Sequence, residues 1–337
     1  MNAPFIKMTS IPPPKNCSVD SSSTNVILTG LNAFVFGLAA IVYIVTVCVS
    51  VRIKSSSTFV VYLKNLIVAD ILRIVTFIVQ VIQPSIPLNI TIRVFQCRYS
   101  DVIFYFAMYM SIILLGFIGF DRFLKIVKPL KTNVMKNKVF GITVSALAWI
   151  FMFFLNALPN IILTNKTLPQ SKNFLCTELK NELGLKWHNY VNCVSFAIFF
   201  VVFVCLVIFY VFISKKVLQA FKNAKRQGNT PNEINTRVFI IIIVFFICFT
   251  PYHCVRIPFL LQENCLLSFN SSSNSLQNVK NITLTLTMVN VCMNPLIYVF
   301  LCKKYKNKLL EFLRVKKESL PGKRDNPSGM NRCEKET

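Results

Sequence analysis

The residues most able to do chemistry in this chain are ionisable groups set in apolar surroundings. Asp70 and Arg73 fall inside one long hydrophobic run, Asp121 and Arg122 near the end of another, and Arg256 and Lys280 near the ends of two more. A charge in hydrocarbon costs several kcal/mol, so it is either satisfied by a partner or retained for a function. Asp70 and Arg73 are i,i+3 neighbours and can pair, and Lys280 is near enough to a run end to snorkel. Arg256 is harder to satisfy in that way. It follows Pro251 by five residues, about 7.5 Å along a helix at about 1.5 Å per residue, and His253 shares its face three residues earlier. The sequence places no acidic residue within a turn of Arg256, His253 or Lys280. That pattern points to a cavity for an anion, a phosphate or a carboxylate.

Enzymatic chemistry is not indicated. Asp70 and Asp121 fall on different runs at different depths, unlike a facing carboxylate pair. The two histidines, His188 and His253, complete no Ser/His/Asp, Cys/His or zinc-ligand spacing.

These residues need elements to hold them. Of 337 residues, 54% are hydrophobic and 15% charged, against about 25% charged in an average soluble protein. The apolar residues form seven runs, at 26–51, 58–83, 94–125, 138–163, 188–214, 235–261 and 277–302. Each is near the roughly 20 residues that cross a bilayer as a helix. The expected fold is therefore all-α, an integral membrane bundle of seven helices spanning 26–302. Residues 1–25 read as an extracellular N-terminal tail without the apolar core of a signal peptide, so the first helix is expected to direct its own insertion. Residues 303–317 read as a short amphipathic helix on an anionic leaflet, and 318–337 as a disordered tail. No inverted repeat of the transporter type is present. The net charge of +24 comes from basic residues in the gaps between runs, without a nucleic-acid motif.

Those gaps set the topology. Arg52 and Lys54, then Lys125, Lys128, Lys131, Lys136 and Lys138, then Lys215, Lys216, Lys222, Lys225, Arg226 and Arg237, then Lys303, Lys304, Lys306 and Lys308 all fall on one side. That side is expected to be cytoplasmic, with the N-terminus outside at the plasma membrane. The glycosylation sequons at Asn16, Asn89, Asn165 and Asn270 agree. A fifth, at Asn281, falls in the seventh helix. The outer segments add Arg93, Arg98, Lys172, Lys180 and Lys186, diluted by Glu178, Glu182 and Glu263. Four cysteines, Cys17, Cys97, Cys176 and Cys265, fall on the oxidising side, where they allow three pairings. Cys302 and Cys333 are candidates for palmitoylation.

Five motifs in order then resemble those of the rhodopsin-like G protein-coupled receptors: LKNLIVAD with Asp70, FDRF with Asp121 and Arg122, Trp149, CFTP with Phe249 and Pro251, and NPLIY with Asn294, Pro295 and Tyr298. The stretches SSSTFVVYLKN, VIFYFAMYMSI, FDRFLKIVKPL, LPNIILTN, LGLKWH, FFICFTPYHCVRIPF and FLCKK look like the purinergic nucleotide receptors, in the branch of the ADP and UDP-sugar receptors. The resemblance implies disulfides Cys97–Cys176 and Cys17–Cys265. It implies ligand contacts at Arg93, Tyr105, Tyr109, Asn160, Lys180, His188, Asn192, His253, Arg256 and Lys280, with Tyr105 stacking on a base and the cations holding phosphates. It also implies release of Arg122 from Asp121 as the sixth helix swings out, with Tyr210 and Tyr298 stabilising the open state. Asp70, Ser111, Asn290 and Asn294 resemble a pocket for an allosteric sodium ion, and the branch couples to the inhibitory class of G proteins.

The chain departs from that pattern in several places. Tyr43 stands near a position usually occupied by Asn, a second-helix proline is missing from TFIVQV, and Arg73 is unusual there. Asn281 replaces a usual Glu, Phe259 a common Tyr, and Asn294 an Asp often found in the branch. The expected function is a receptor for an extracellular nucleotide or nucleotide sugar. A receptor for a lysophospholipid or other anionic lipid is the alternative, and a transporter or channel the alternative of another class.

Overall fold

The computed structural model describes residues 26–53, 57–83, 89–127, 138–166, 174–226, 239–263 and 273–312. These form seven long helices and a short one: α1 (Val26–Val51), α2 (Thr58–Ile82), α3 (Ile90–Val127), α4 (Lys138–Ile162), α5 (Glu182–Arg226), α6 (Ile240–Glu263), α7 (Ser273–Leu301) and α8 (Lys303–Phe312). The first seven are long and apolar enough to cross a membrane. No strand occurs among the described residues.

Two helices outrun their apolar segments. The runs at 94–125 and 188–214 mark only what meets hydrocarbon, whereas α3 begins at Ile90 and α5 reaches from Glu182 to Arg226. Polar turns such as Lys215–Arg226 continue the helix where water can solvate them.

α3 is the central post. Of its spanning window 72% is buried, against 22% for α4 and for α5. It packs on α2, α4, α5 and α6, while α1 closes against α2 and α7, and α6 against α7. The outward faces are apolar: Leu38, Ile41 and Ile44 on α1, Ile142, Leu147 and Ile150 on α4, and Phe200, Val201 and Val204 on α5 are all exposed. In water such a surface would aggregate, whereas lipid solvates it.

With lipid outside, helices are held by close packing and polar ties. The Trp149 indole donates to Asn65 Oδ1 at 3.0 Å, tying α4 to α2. Pro159 has no N–H for the carbonyl four residues earlier. That carbonyl, on Leu155 within the π turn Phe153–Ala157, instead accepts from the Trp187 indole of α5 at 3.2 Å. The disulfide Cys97–Cys176 ties the π turn Gln96–Ser100 of α3 to the segment before α5. The Cys17–Cys265 pairing, the sequons at Asn16 and Asn270, residues 1–25 and 318–337, and Cys333 lie outside the described residues. Cys302 is 1% exposed within the core, which leaves its thiol no room for an acyl chain. On α8, Lys308 bonds Glu311 at 2.7 Å and holds that exposed carboxyl below its usual range.

Gly119 shows how tightly α3 and α5 meet. A Cβ there would overlap the Cδ2 methyl of Leu206, so that fully buried side chain would have to shift to admit it. Gly119→Val should therefore cost about 1–3 kcal/mol, read as a lower melting temperature of the detergent-solubilised protein. Adding Leu206→Ala should restore part of the loss, and an additive double mutant would contradict this account.

Candidate ligand-binding site

A cavity of about 390 Å³ is enclosed by residues from all seven long helices and roofed by the segment at 174–180. Arg93, Tyr105, Tyr109, Asn160, Lys180, His188, Asn192, Arg256 and Lys280 all line it. His253 does not. Its ring is 1% exposed, lies flat on Phe199 with centroids 3.7 Å apart, and meets Tyr109 edge-on. Its Nδ1 is 2.9 Å from the Phe249 carbonyl. His253 therefore stands behind Tyr109, where it sets the position of that ring.

The disulfide explains how a loop residue joins the site. With Cys176 fixed against α3, the 3-10 turn Cys176–Leu179 buries Phe174 and Leu179 beside Cys97 and brings Lys180 under the roof. Lys180 is 6% exposed and donates to Asn160 Oδ1 at 3.0 Å and Thr164 Oγ1 at 3.2 Å. Arg93 braces the same roof from α3, donating to the Phe174 carbonyl at 2.7 Å and 3.2 Å with its guanidinium over the Phe174 ring.

From α6, Arg256 donates to Asn192 Oδ1 at 3.4 Å and lies over the rings of Tyr105 and Phe259 at 5.8 Å and 5.5 Å. Lys280 of α7 reaches the same Phe259 at 4.2 Å. One aromatic ring thus separates two cations, each drawn to the electron-rich π system. Asn192 Nδ2 is buried with no hydrogen-bond partner among the described residues, a donor left for whatever fills the space. Tyr105 stacks with Tyr252 at 6.4 Å.

The facing wall is richer in amides. Gln80, Gln83, Gln96, Asn32, Asn278 and Asn281 line it, together with one carboxylate, Asp101, which accepts from Gln80 at 3.1 Å and Gln96 at 3.5 Å. Sequence reasoning passed over Asp101, although an acidic residue within the third apolar run meets the same criterion that singled out Asp70.

At the opposite end of the bundle, Asp121 is held on both oxygens. Arg122 approaches Oδ2 at 3.0 Å and Lys125 approaches Oδ1 at 3.1 Å, with all three side chains at most 10% exposed. The Arg122 guanidinium lies 3.9 Å over the Phe59 ring. Tyr210 packs on Phe239 and Tyr298 on Tyr305, while Pro251 and Pro295 sit inside α6 and α7.

Midway between these ends, Asp70, Ser111, Asn290 and Asn294 converge, all fully buried. Asp70 Oδ1 accepts from Ser111 Oγ at 3.3 Å and faces Arg73 Nη1 at 3.6 Å. Its Oδ2 accepts from Asn294 Nδ2 at 2.6 Å and from the Tyr43 hydroxyl. Of the carboxylate's roughly four lone-pair sites, two on Oδ2 accept hydrogen bonds, while Oδ1 faces the Arg73 cation and the Ser111 hydroxyl, whose one proton also lies within reach of the Ala107 carbonyl at 3.1 Å. The residues present do not fit a bound sodium ion.

The family profile for the 7 transmembrane receptors (rhodopsin family) matches residues 31–298. The chain is 40% identical to purinoceptor 13 of Homo sapiens over 88% of its length and 83% of that receptor's. It is 37% identical to purinoceptor 14 of Bos taurus over 91% of each chain. With the G-protein coupled receptor 87 of Mus musculus it shares 33% over 91% of its length and 86% of the relative's. Members of this family are multi-pass membrane receptors and not enzymes. The chain therefore belongs to the rhodopsin family of seven-transmembrane receptors, in the group that contains these purinoceptors.

Proposed function

We propose that the chain is a plasma-membrane receptor for an extracellular nucleotide or nucleotide sugar that signals through an inhibitory-class G protein. The observation that carries this reading is the convergence of Arg256, Lys180, Arg93 and Lys280 on one cavity that also holds Tyr105 and Tyr252. Phosphates call for guanidinium and ammonium donors, and a base calls for an aromatic face. The volume of about 390 Å³ suits a small ligand. The names of the purinoceptor relatives agree with a purine-type ligand. The basic gaps at the end opposite the cavity support a cytoplasmic assignment for that end, which puts the cavity and the N-terminus outside. An acyl tail would lie against the amide wall that includes Gln83, Asn278 and Asn281 and offer those groups no partner, so the cavity favours a nucleotide over a lysophospholipid.

Ligand binding shifts an equilibrium only by as much as it prefers one state. The Asp121 contacts define what the resting state must give up. When Arg122 leaves to meet the G protein, Lys125 remains on the other carboxylate oxygen, so Asp121 is not stranded as an unpaired buried charge. Lys125 thereby makes the active state cheaper to reach.

In cells, G protein activation by a panel of ADP, ATP, UDP, UDP-sugars and lysophospholipids should identify a nucleotide agonist. Arg256→Ala should then lower potency by about 10- to 100-fold, the loss of a charged hydrogen bond at about 1.5–3 kcal/mol, with surface expression intact. Tyr105→Phe should keep most of the potency that Tyr105→Ala loses. Unchanged potency in Arg256→Ala, or a response to the lipids alone, would overturn the reading.

Basal signalling tests the inner end separately. Asp121→Asn should raise it and Lys125→Ala should lower it, both measured as ligand-independent G protein activation at matched surface expression. If Lys125→Ala raises it instead, Lys125 is part of the lock.

A further inference from the structure

We propose that Arg73 is the resident cation of the Asp70 centre, so that this receptor carries its central counter-ion covalently and does not respond to sodium. The oxygens of the centre are already engaged within the chain, Oδ2 by two hydrogen bonds and Oδ1 by the Arg73 cation and the Ser111 hydroxyl. Besides these contacts on Asp70, Asn290 Oδ1 accepts from Asn294 Nδ2 at 3.2 Å and from Arg73 Nη1 at 3.4 Å. Asn294 Oδ1 accepts from Asn290 Nδ2 at 3.3 Å. The carboxylate and amide oxygens that would have to ligate a metal ion already face donors within the chain.

Charge adds to these contacts. The Arg73 side chain is completely buried, with Nη1 3.6 Å from Asp70 Oδ1, so an ion on that oxygen would sit about 4 Å from a fixed positive charge. At an effective dielectric of about 20, that repulsion lowers its affinity by about a thousandfold.

Arg73 is also built in from several sides. Its Nη2 donates to the Thr287 carbonyl of α7, and its guanidinium faces the rings of Phe104 on α3 and Phe249 on α6 at 5.6 Å and 5.9 Å. One side chain of α2 therefore touches three other helices around the centre. A sodium ion exchanges with the medium, whereas this cation cannot.

Tyr43 completes the arrangement. Its hydroxyl donates to Asp70 Oδ2, so that Oδ2 is held from α1 and, through Asn294, from α7. The two departures from the family pattern, Tyr43 and Arg73, thus meet on one carboxylate and replace a diffusible ion together.

The test is the melting temperature of the purified full-length receptor in sodium chloride or in N-methyl-D-glucamine chloride at matched ionic strength. The wild type should differ by less than about 1 °C between the two salts. Arg73→Ser, which uncovers the carboxylate and leaves space, should melt about 3 °C or more higher in sodium. Arg73→Lys should behave as the wild type. A sodium-dependent rise in the wild type as large as that in Arg73→Ser, or a folded Arg73→Ser protein with no rise, would overturn the proposal. Should Arg73→Ser fail to accumulate, the doubly neutral Asp70→Asn/Arg73→Met protein should reach the membrane better than Asp70→Asn alone. If it accumulates no better, the ion pair is not what the centre depends on.

Discussion

A charge carried into an apolar helix bundle stays charged only if compensating groups lie within a few ångströms. Nearly every informative feature of this receptor follows from that requirement. Asp70 meets it with one cation and three polar groups, drawn from four helices. Asp121 meets it with one cation on each oxygen. Lys180 meets it with the carbonyl and hydroxyl oxygens of Asn160 and Thr164. The solutions differ in kind: the first is closed, the second shares one carboxylate between two cations, and the third keeps an ammonium beside a cavity.

The cavity and the Asp70 centre are joined by contiguous side chains. Below Tyr105 come Tyr252, then His253 at 5.2 Å, then Phe199, which lies flat against both His253 and Phe245. Phe245 meets Phe249 at 5.4 Å, and Phe249 faces Arg73. This gives His253 its place, as a link in the stack beneath the cavity floor. Such a path transmits a rearrangement where its members have two stable packings, and Pro251, next to Tyr252 and two residues from Phe249 and His253, loosens the helix that carries most of them.

Much of this was legible in the sequence because hydrocarbon imposes simple rules. Span length and helical content follow from the apolar runs, and Asp70, Arg73 and Asp121 could be singled out because charges are rare there. Asp70 and Arg73, read as i,i+3 partners, are such a pair. What the sequence could not supply was depth and direction. His253 shares a helix face with Arg256 by spacing, yet it points at Phe199 rather than into the cavity. Asp101 sits at the level of the roof, four residues past Cys97, and only the disulfide and the amides of Gln80 and Gln96 show why it is tolerated. The reach of α5 beyond 188–214 was hidden because a helix in water needs no apolar run.

Asp70 and Arg73 also lie one turn apart on the same helix. Their attraction is available as soon as α2 coils, before any neighbouring segment has docked. A hairpin of α1 and α2 leaving the insertion machinery would present lipid with a zwitterion of no net charge at its centre, already shielded in part by Tyr43. A lone aspartate in the same place would have to wait for a counter-ion from the medium or from a helix made later. The helices that arrive last then only complete the pair, with Asn294 on the carboxylate and the Thr287 carbonyl on the guanidinium.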